Sequence, residues 1–346
     1  MHMPGSPKQS QSGYGIEPSH RQVTISDVAA LAGVSRATVS YAFSQPSRLS
    51  KEMLAKVRES VEALGYVGND AARQLRVGHS RALGLLVSDA SNPIFAELAS
   101  GAEAEASLHD RFVLVANSNE SLEREREYVG FFESQRVGGI LIAPVDDVPS
   151  ELVALGERGT PFVLVGAPEG HRDYPWISGD NTLGGRLAAQ HLLDQGRTRL
   201  LLAGGPHHHV RSRFAGASSV VQDARGVSLE TITVPQQTAA NGEQIAQQLL
   251  SRPTLPDGIF AGNDLLALGI LHGLLAGGVR VPQDVSLVGY DDIEFADFAV
   301  VPLTTIRHPS ASLGASAVRL LIGLEAQDIS QFEPRLVIRK TSLATS

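Results

Sequence analysis

Residues 24–43 read TISDVAALAGVSRATVSYAF, and the spacing of small, hydroxylated and apolar side chains in this stretch fixes what the chain builds first. Thr24 or Ser26 can cap a helix whose first turn carries Asp27, an anion placed where the backbone dipole favours it. Val28 and Leu31 lie three apart, with Ala29 and Ala32 beside them, so one apolar stripe is expected along this helix. Gly33 supplies a tight turn that a side chain would obstruct. Ser35 then caps a second short helix, in which Val39 and Phe43, four apart, should face the first. Ser50 starts a third: Leu54, Val57, Val61 and Leu64 form its stripe and Gly65 ends it. Three short helices with a glycine turn between the first two predict an all-α helix-turn-helix unit over 23–68.

Such a unit presents its second helix to a partner. Arg36, Ala37, Ser40 and Tyr41 fall on the face away from the apolar stripe and suit base edges, while Thr24, Ser35 and Thr38 can hydrogen-bond phosphates. The charge distribution agrees. Between Arg21 and Arg81 there are nine Lys/Arg against five Asp/Glu, although the 346-residue chain has a formal net charge of −8. A basic unit joined to an acidic remainder points to a polyanion at one end only. The next segment, GNDAARQLRVG over Gly68–Gly78, predicts a short helix within 69–80, with Asn69 as its cap and Ala71 and Ala72 behind. It exposes Leu75 between Arg73 and Arg76. A leucine exposed among basic side chains suits a wedge that unstacks a base step in a minor groove.

Other chemistries are excluded by what the chain lacks. Cysteine is absent, which rules out disulfides, thiolate nucleophiles and cysteine-bound zinc. His207, His208 and His209 are consecutive and therefore diverge, unlike an i, i+4 pair aimed at one ion, so no metal site is expected and the run reads as a solvated loop, with a contact at the cleft rim or to the effector as the alternative. No cofactor is called for. There is no G-x-x-x-x-G-K-[ST] phosphate loop and no Ser/His/Asp arrangement, so enzyme chemistry is not expected. Residues 1–22, rich in Gly, Pro and Ser, read as a disordered tail without the apolar core of a secretory signal, and no run is long and apolar enough to span a bilayer. A cytoplasmic protein is expected. A transport receptor for a small solute would need export and would have no use for a basic head.

From Arg81 onward short apolar runs alternate with amphipathic stretches. ALGLLVS, RFVLVA, GGILIA and PFVLV read as strands buried on both faces, with helices starting near Pro93, Ser121 and Pro149. After Asp180 the pattern restarts and runs through RLLLAGG, GIFAG and DVSLVGYDD. Two successive series predict an α/β core of two doubly wound parallel-sheet subdomains. Ligands of such sheets bind beyond the carboxyl ends of the strands, so two facing sheets form a cleft. Ser88, Asp89 and Asn92 follow the first strand, Arg213 follows the strand ending at Gly204–Gly205, and Asn263–Asp264 and Asp291–Asp292 close two later strands. Carboxylates and amides converging with an arginine suit a hydroxylated or carboxylated small molecule. Asp264 and Asp292 read equally well as helix caps.

The motifs TISDVAALAGVSRATVS and GYVGNDAARQL, with the pattern from about Val23 to about Thr341, resemble the lactose-repressor (LacI/GalR) family of bacterial transcription regulators. The resemblance implies a periplasmic-binding-protein-like core, operator DNA and a small-molecule effector as partners, and base-reading positions at Arg36, Ala37 and Tyr41. It places Leu75 at the centre of a near-palindromic operator, with Asn69 on phosphate and Ala72 in the minor groove. In the core it matches Asp291, Arg213 and Asn263 to effector-binding positions, beside the Asp89 and Asn92 read above. Three positions depart: Tyr41 stands where many members have arginine or histidine, Gly166 where many have aspartate, and Gln237 where an aromatic often stacks on the effector. The expected subdomains are 81–178 with about 308–327, and 179–307 with about 328–342. The chain stops soon after RLVIRKT without a leucine heptad, so a homodimer spanning two half-sites is expected.

Overall fold

The structure, a computed structural model, describes residues 23–66, 80–146, 148–166, 174–325 and 331–342. The expected tail, and Asn69, Ala72 and Leu75 of the expected hinge segment, lie outside the described residues. The chain divides into two compact units at residue 78.

The N-terminal unit holds α1 (Ile25–Ala32), α2 (Arg36–Ser44) and α3 (Lys51–Leu64), with one 3-10 turn at Pro46–Arg48. Each start is capped by the residue expected. The Asp27 carboxylate accepts from the Thr24 N–H at 2.8 Å and from its hydroxyl at 2.7 Å. Ser35 Oγ accepts from the Thr38 N–H at 3.0 Å, and Ser50 Oγ from the Met53 N–H at 3.2 Å. Gly33 takes φ 66°, the left-handed turn between α1 and α2. Val28, Ala29, Val39 and Val57 form the core, with Ile25, Ala32, Val34, Ala42, Val61, Leu64 and Tyr66 packed around it. Two apolar assignments fail. Leu31 is 55% exposed, because Ile25, Val28, Ala29 and Ala32 centre the buried stripe and Leu31 falls about 110° off it at the helical repeat. Phe43 is also exposed, and its ring meets Tyr66 with centroids 6.0 Å apart rather than facing α1.

The second unit contains two six-stranded sheets. The first uses β1 (Ala82–Val87), β2 (Phe112–Asn117), β3 (Ile140–Ile142), β4 (Phe162–Val165), β5 (Trp176–Gly179) and β11 (Gln331–Phe332), in the order β11-β5-β4-β3-β1-β2. The second uses β6 (Arg199–Gly204), β7 (Ser228–Thr233), β8 (Gly258–Ala261), β9 (Ser286–Asp291), β10 (Thr304–Arg307) and β12 (Arg335–Val337), in the order β12-β10-β9-β8-β6-β7. All pairings are parallel except β12 on β10, an antiparallel edge not foreseen from the sequence. Successive residues face opposite sides: Leu83 and Leu85 enter one core and Leu86 the other, as Leu201 and Ala203 are separated from Leu200 and Leu202. Each such buried leucine stabilises the fold by about 1.5–3 kcal/mol. β2 departs from the expectation of burial on both faces. It is an edge strand, and Phe112 and Leu114 on one face and Val115 on the other stay exposed. β5 and α12 (Ser310–Leu321) carry too short or too mixed a pattern to stand out in the sequence.

The chain crosses between the sheets after Gly179, after Arg307, and again between Phe332 and Arg335. The last crossing falls later than the expected 328, because Gln331 and Phe332 pair with Ser178 and Gly179 at the edge of the first sheet. The remaining core helices are α4 (Pro93–Leu108), α5 (Leu122–Ser134), α6 (Ser150–Glu157), α7 (Asn181–Asp194), α8 (His208–Gln222), α9 (Ala239–Leu250), α10 (Asp264–Ala276) and α11 (Glu294–Asp297). Three helix pairs meet backbone to backbone through a glycine on each side: Gly101 and Gly314 join α4 to α12, Gly185 and Gly216 join α7 to α8, and Gly242 and Gly269 join α9 to α10. A Cβ at any of these would fall inside a carbonyl of the facing helix. Gly185→Ala, which would strike the Arg213 carbonyl, should therefore lower unfolding stability by about 1–3 kcal/mol in a urea titration, since backbone rather than a flexible side chain must yield.

Candidate functional site

On the N-terminal unit, Arg36, Ala37 and Tyr41 are exposed on α2, with Ser40 half-buried beside them. The Arg48 guanidinium lies 5.7 Å from the Tyr41 ring centroid, a cation–π contact that props the phenol outward and that the sequence pattern did not single out. Thr24 and Ser35 are exposed at the starts of α1 and α2. The Ser35 and Thr38 hydroxyls are 2.9 Å apart and one donates to the other, which leaves one hydroxyl hydrogen of the pair to donate elsewhere. Arg58, Lys51 and Lys56 are exposed on α3.

In the core unit the carboxyl ends of the two sheets face one another across a cavity of about 210 Å³. Asp89, Asn92, Arg213, Asn263 and Asp291, the five positions expected from the sequence, all line it. Arg213 does not follow its strand directly. It lies on the second turn of α8 and reaches back into the cleft, where it is buried. Its Nε donates to Asn181 Oδ1 at 2.9 Å and its Nη1 to the Gly262 carbonyl at 2.5 Å, and Nη2 stands 3.7 Å from Asp291 Oδ1. The guanidinium carbon sits 3.5 Å from the centroid of the Tyr290 ring, so the cation is paired by an amide, a carbonyl, a carboxylate and a π face. Asp291 takes φ 109°, an unusual backbone for a non-glycine residue, which turns its carboxylate into the cleft. Asn92 Nδ2, from the first lobe, donates to Asp291 Oδ2 at 3.3 Å, while Asn92 Oδ1 caps α4 through the Ile94 N–H.

Asp89 Oδ1 accepts from the Ser91 N–H and hydroxyl, which fixes its turn. Asn263 caps α10 through the Leu266 N–H at 2.9 Å and donates to the Gln237 carbonyl at 3.1 Å, so both its polar ends are engaged and it holds Gln237 in the wall. Gln237 itself is buried, with Oε1 unpartnered among the described residues. Asp264 and Asp292 are not helix caps. Buried Asp264 accepts from the Thr305 hydroxyl at 2.6 Å and the Ile293 N–H at 3.0 Å, and Asp292 pairs with Arg307 and Arg339 at 2.6 and 2.7 Å. Burial pushes the Asp291 carboxyl up to about 6 against the opposing pull of Arg213, and holds Asp264 well above the carboxylate range.

The histidine run is not a solvated loop. His207 caps α8, His208 begins it, and all three imidazoles line the cavity. His207 Nε2 is 3.1 Å from Glu120 Oε1 and His208 Nε2 is 2.6 Å from the Gly166 carbonyl, both on the first lobe. Among the described residues no group of His, Asp or Glu could hold a metal ion. Asn181, Phe95, Glu120 and His308 also line the cavity and were not read from the sequence. Only tertiary folding brings them there, and none carries a local motif.

A helix-turn-helix unit joined to a two-lobed α/β core with a polar cleft defines the class of ligand-responsive DNA-binding regulators. Residues 24–69 match the family described as bacterial regulatory proteins, lacI family, and residues 189–342 match a periplasmic binding protein-like domain. The chain is 34% identical to the ribose operon repressor of Bacillus subtilis over 87% of its own length and 91% of that protein's. It is 31% identical to the HTH-type transcriptional repressor PurR of Shigella sonnei, over 92% and 96% of the two chains. Among solved structures, a lac repressor dimer bound to operator and the anti-inducer ONPF superposes with a TM-score of 0.81 at 29% identity, over 94% of this chain and all of that one. A lacI-family regulator from Enterococcus faecium with bound ribose gives a TM-score of 0.68 at 27% identity, over 75% and 98% of the chains. The protein belongs to the lacI family of bacterial regulatory proteins.

Beneath the cleft, Glu125 of α5 is fully buried and accepts from the Val145 N–H at 2.8 Å, while its Oε1 has no partner among the described residues. Burial pushes this carboxyl from the usual 4.5 up to about 7. The folded protein then keeps a proton that the unfolded chain has lost, so stability falls as pH rises between those two values and levels off above the upper one. Melting curves across pH 4.5 to 8 should show the wild type losing more stability over that window than Glu125→Gln. Parallel pH profiles would mean that Glu125 titrates normally.

Proposed function

We propose that this protein is a transcriptional repressor that binds operator DNA through α2 and is switched by a small molecule, a sugar or sugar derivative, held between the two core lobes. The observation that carries this reading is the pairing in one chain of an exposed, basic recognition helix with a buried Arg213–Asp291 pair that Asn92 joins from the opposite lobe. Arg36, Ala37, Ser40 and Tyr41 take the base edges, and Thr24, Ser35 and Thr38 the phosphates. Leu75 enters the minor groove at the operator centre, with Asn69 and Ala72 beside it. Asp89, Asn92, Arg213, Asn263 and Asp291 take the effector. The names of the relatives support the same assignment, with ribose as the compound that one repressor's operon is named for and that one neighbour binds.

A ligand that touches both lobes changes their closure only through different affinity for the open and closed forms, and that difference is what reaches the DNA. The protein works as a homodimer, because two heads must span two half-sites about one helical turn apart. It acts in the cytoplasm, by binding rather than catalysis. Among the described residues no helix is long and apolar enough to cross a membrane.

Binding-site selection with random DNA tests the head. Arg36→Ala and Tyr41→Ala should each change the preferred half-site, since a good base contact discriminates by about 1–3 kcal/mol. Arg58→Ala should lower affinity for all sequences alike if that side chain meets only phosphate. Recovery of one unchanged half-site from all variants would remove α2 from this role.

Calorimetry with a panel of pentoses, hexoses and their acids, followed by operator titration, tests the cleft. Asp291→Asn should weaken the best ligand by about tenfold or more while unliganded operator affinity stays close to wild type, because a charged hydrogen-bonding partner is worth about 1–3 kcal/mol. If the panel's best ligand is an acid, Arg213→Lys should be the more damaging change, through loss of a bidentate pair. A ligand response undiminished in both variants would place the effector elsewhere.

A further inference from the structure

The first turn of α8 belongs to the second lobe, yet its polar side chains are spent on the first. His207 Nε2 meets Glu120 Oε1 at 3.1 Å, His208 Nε2 meets the Gly166 carbonyl at 2.6 Å, and Arg211 Nη2 stands 3.6 Å from Asp146 Oδ1. Glu120, Asp146 and Gly166 follow β2, β3 and β4 respectively, so one helical turn grips the ends of three strands of the opposite sheet. The grip is built rather than incidental. Asn119 and Glu120 both take the left-handed conformation, at φ 52° and 56°, which non-glycine residues adopt only where the surroundings enforce it. Gly166 is also left-handed, at φ 72°. The His207 and Glu120 side chains are only 13% and 19% exposed, so this contact is sheltered from the solvent that weakens surface ion pairs.

We propose that this turn is a proton-dependent clasp between the lobes: protonated His207 holds the cleft closed on Glu120, and the closed form loses ground as His207 gives up its proton. The groups facing His207 agree in sign. Glu120 and Asp146 approach from the first lobe and favour the imidazolium, as does the Val145 backbone, and their sum holds His207 above its ordinary value in spite of burial. Glu125 stands behind Val145, and as it ionises with rising pH its negative charge favours the imidazolium as well. From the same turn, burial pushes His208 and His209 below the ordinary imidazole value, opposite in direction to His207. The His208 contact to the Gly166 carbonyl needs no added proton, whereas the His207–Glu120 contact gains from one and is the contact that switches.

The clasp rests on the two-lobed core alone, and its test needs neither DNA nor effector, so its failure is separate from failure of the proposed function. Because the chain has no cysteine, Gln135→Cys on the first lobe and Gln222→Cys on the second give a clean pair of exposed labelling sites in the full-length protein. Spin-label distance distributions at pH 6 and pH 8.5 should show the closed-to-open ratio falling by about threefold or more. Glu120→Gln and His207→Gln, each checked for a cooperative melt, should abolish the pH response. Asp146→Asn should lower the closed fraction at both pH values and weaken the pH response only in part, since Asp146 faces Arg211 and also favours the imidazolium of His207. A wild-type ratio that does not change with pH, or a response that survives in both Glu120→Gln and His207→Gln, overturns the proposal.

Discussion

A guanidinium that has left water must find compensation for its charge, and Arg213 organises the cleft around that requirement. Its partners come from the start of α7 (Asn181), the end of β8 (the Gly262 carbonyl) and the end of β9 (Tyr290 and Asp291). None of these can move far without leaving a buried charge unpaired, which typically costs about 3–5 kcal/mol. Asp291 is constrained in turn, since its raised carboxyl is kept ionised by Arg213 and by the amide that Asn92 extends from the other lobe. The site is thus preorganised on one lobe and completed by the other. That arrangement lets a ligand report on closure, because whatever displaces or strengthens the Asn92–Asp291 contact acts on both sheets at once.

The packing behind the cleft explains how such a site stays in register. Helix pairs that meet through glycines on both sides approach until backbone touches backbone, and a dense contact of that kind transmits displacement instead of absorbing it. The α7–α8 contact is the informative one. Gly185 lies against the carbonyl of Arg213 itself, so the residue that anchors the cleft charge is also a packing element of its own lobe. By contrast the N-terminal unit has, among its described residues, a core of four buried apolar side chains and leaves Leu31 and Phe43 partly in solvent. Its definition comes from caps: Asp27, Ser35 and Ser50 each satisfy the start of a short helix whose core could not hold it in place.

Much of this was legible in the residue order, for local reasons. Caps, glycine turns and the period of apolar residues are properties of a few neighbours, so the three short helices, the restarting strand series and the exposed face of α2 could be read directly. Asp89, Asn92, Asn263 and Asp291 were found because strand ends in a doubly wound sheet converge by construction. Position relative to the whole sheet was not local. Phe112, Leu114 and Val115 read as core, and only the strand order placed them on an open edge. Arg213 was expected at the cleft directly after its strand, and it reaches the cleft from the second turn of α8. The histidine run had no spacing that pointed anywhere. Its role as a bridge appeared once Glu120 and Gly166, 87 and 42 residues away, were brought against it. The sequence by itself determined which elements form and which residues end them, because those depend on backbone geometry within a turn or a strand. The tertiary structure alone decided which polar groups share a charge across the cleft, because that depends on distances between residues that the chain order leaves far apart.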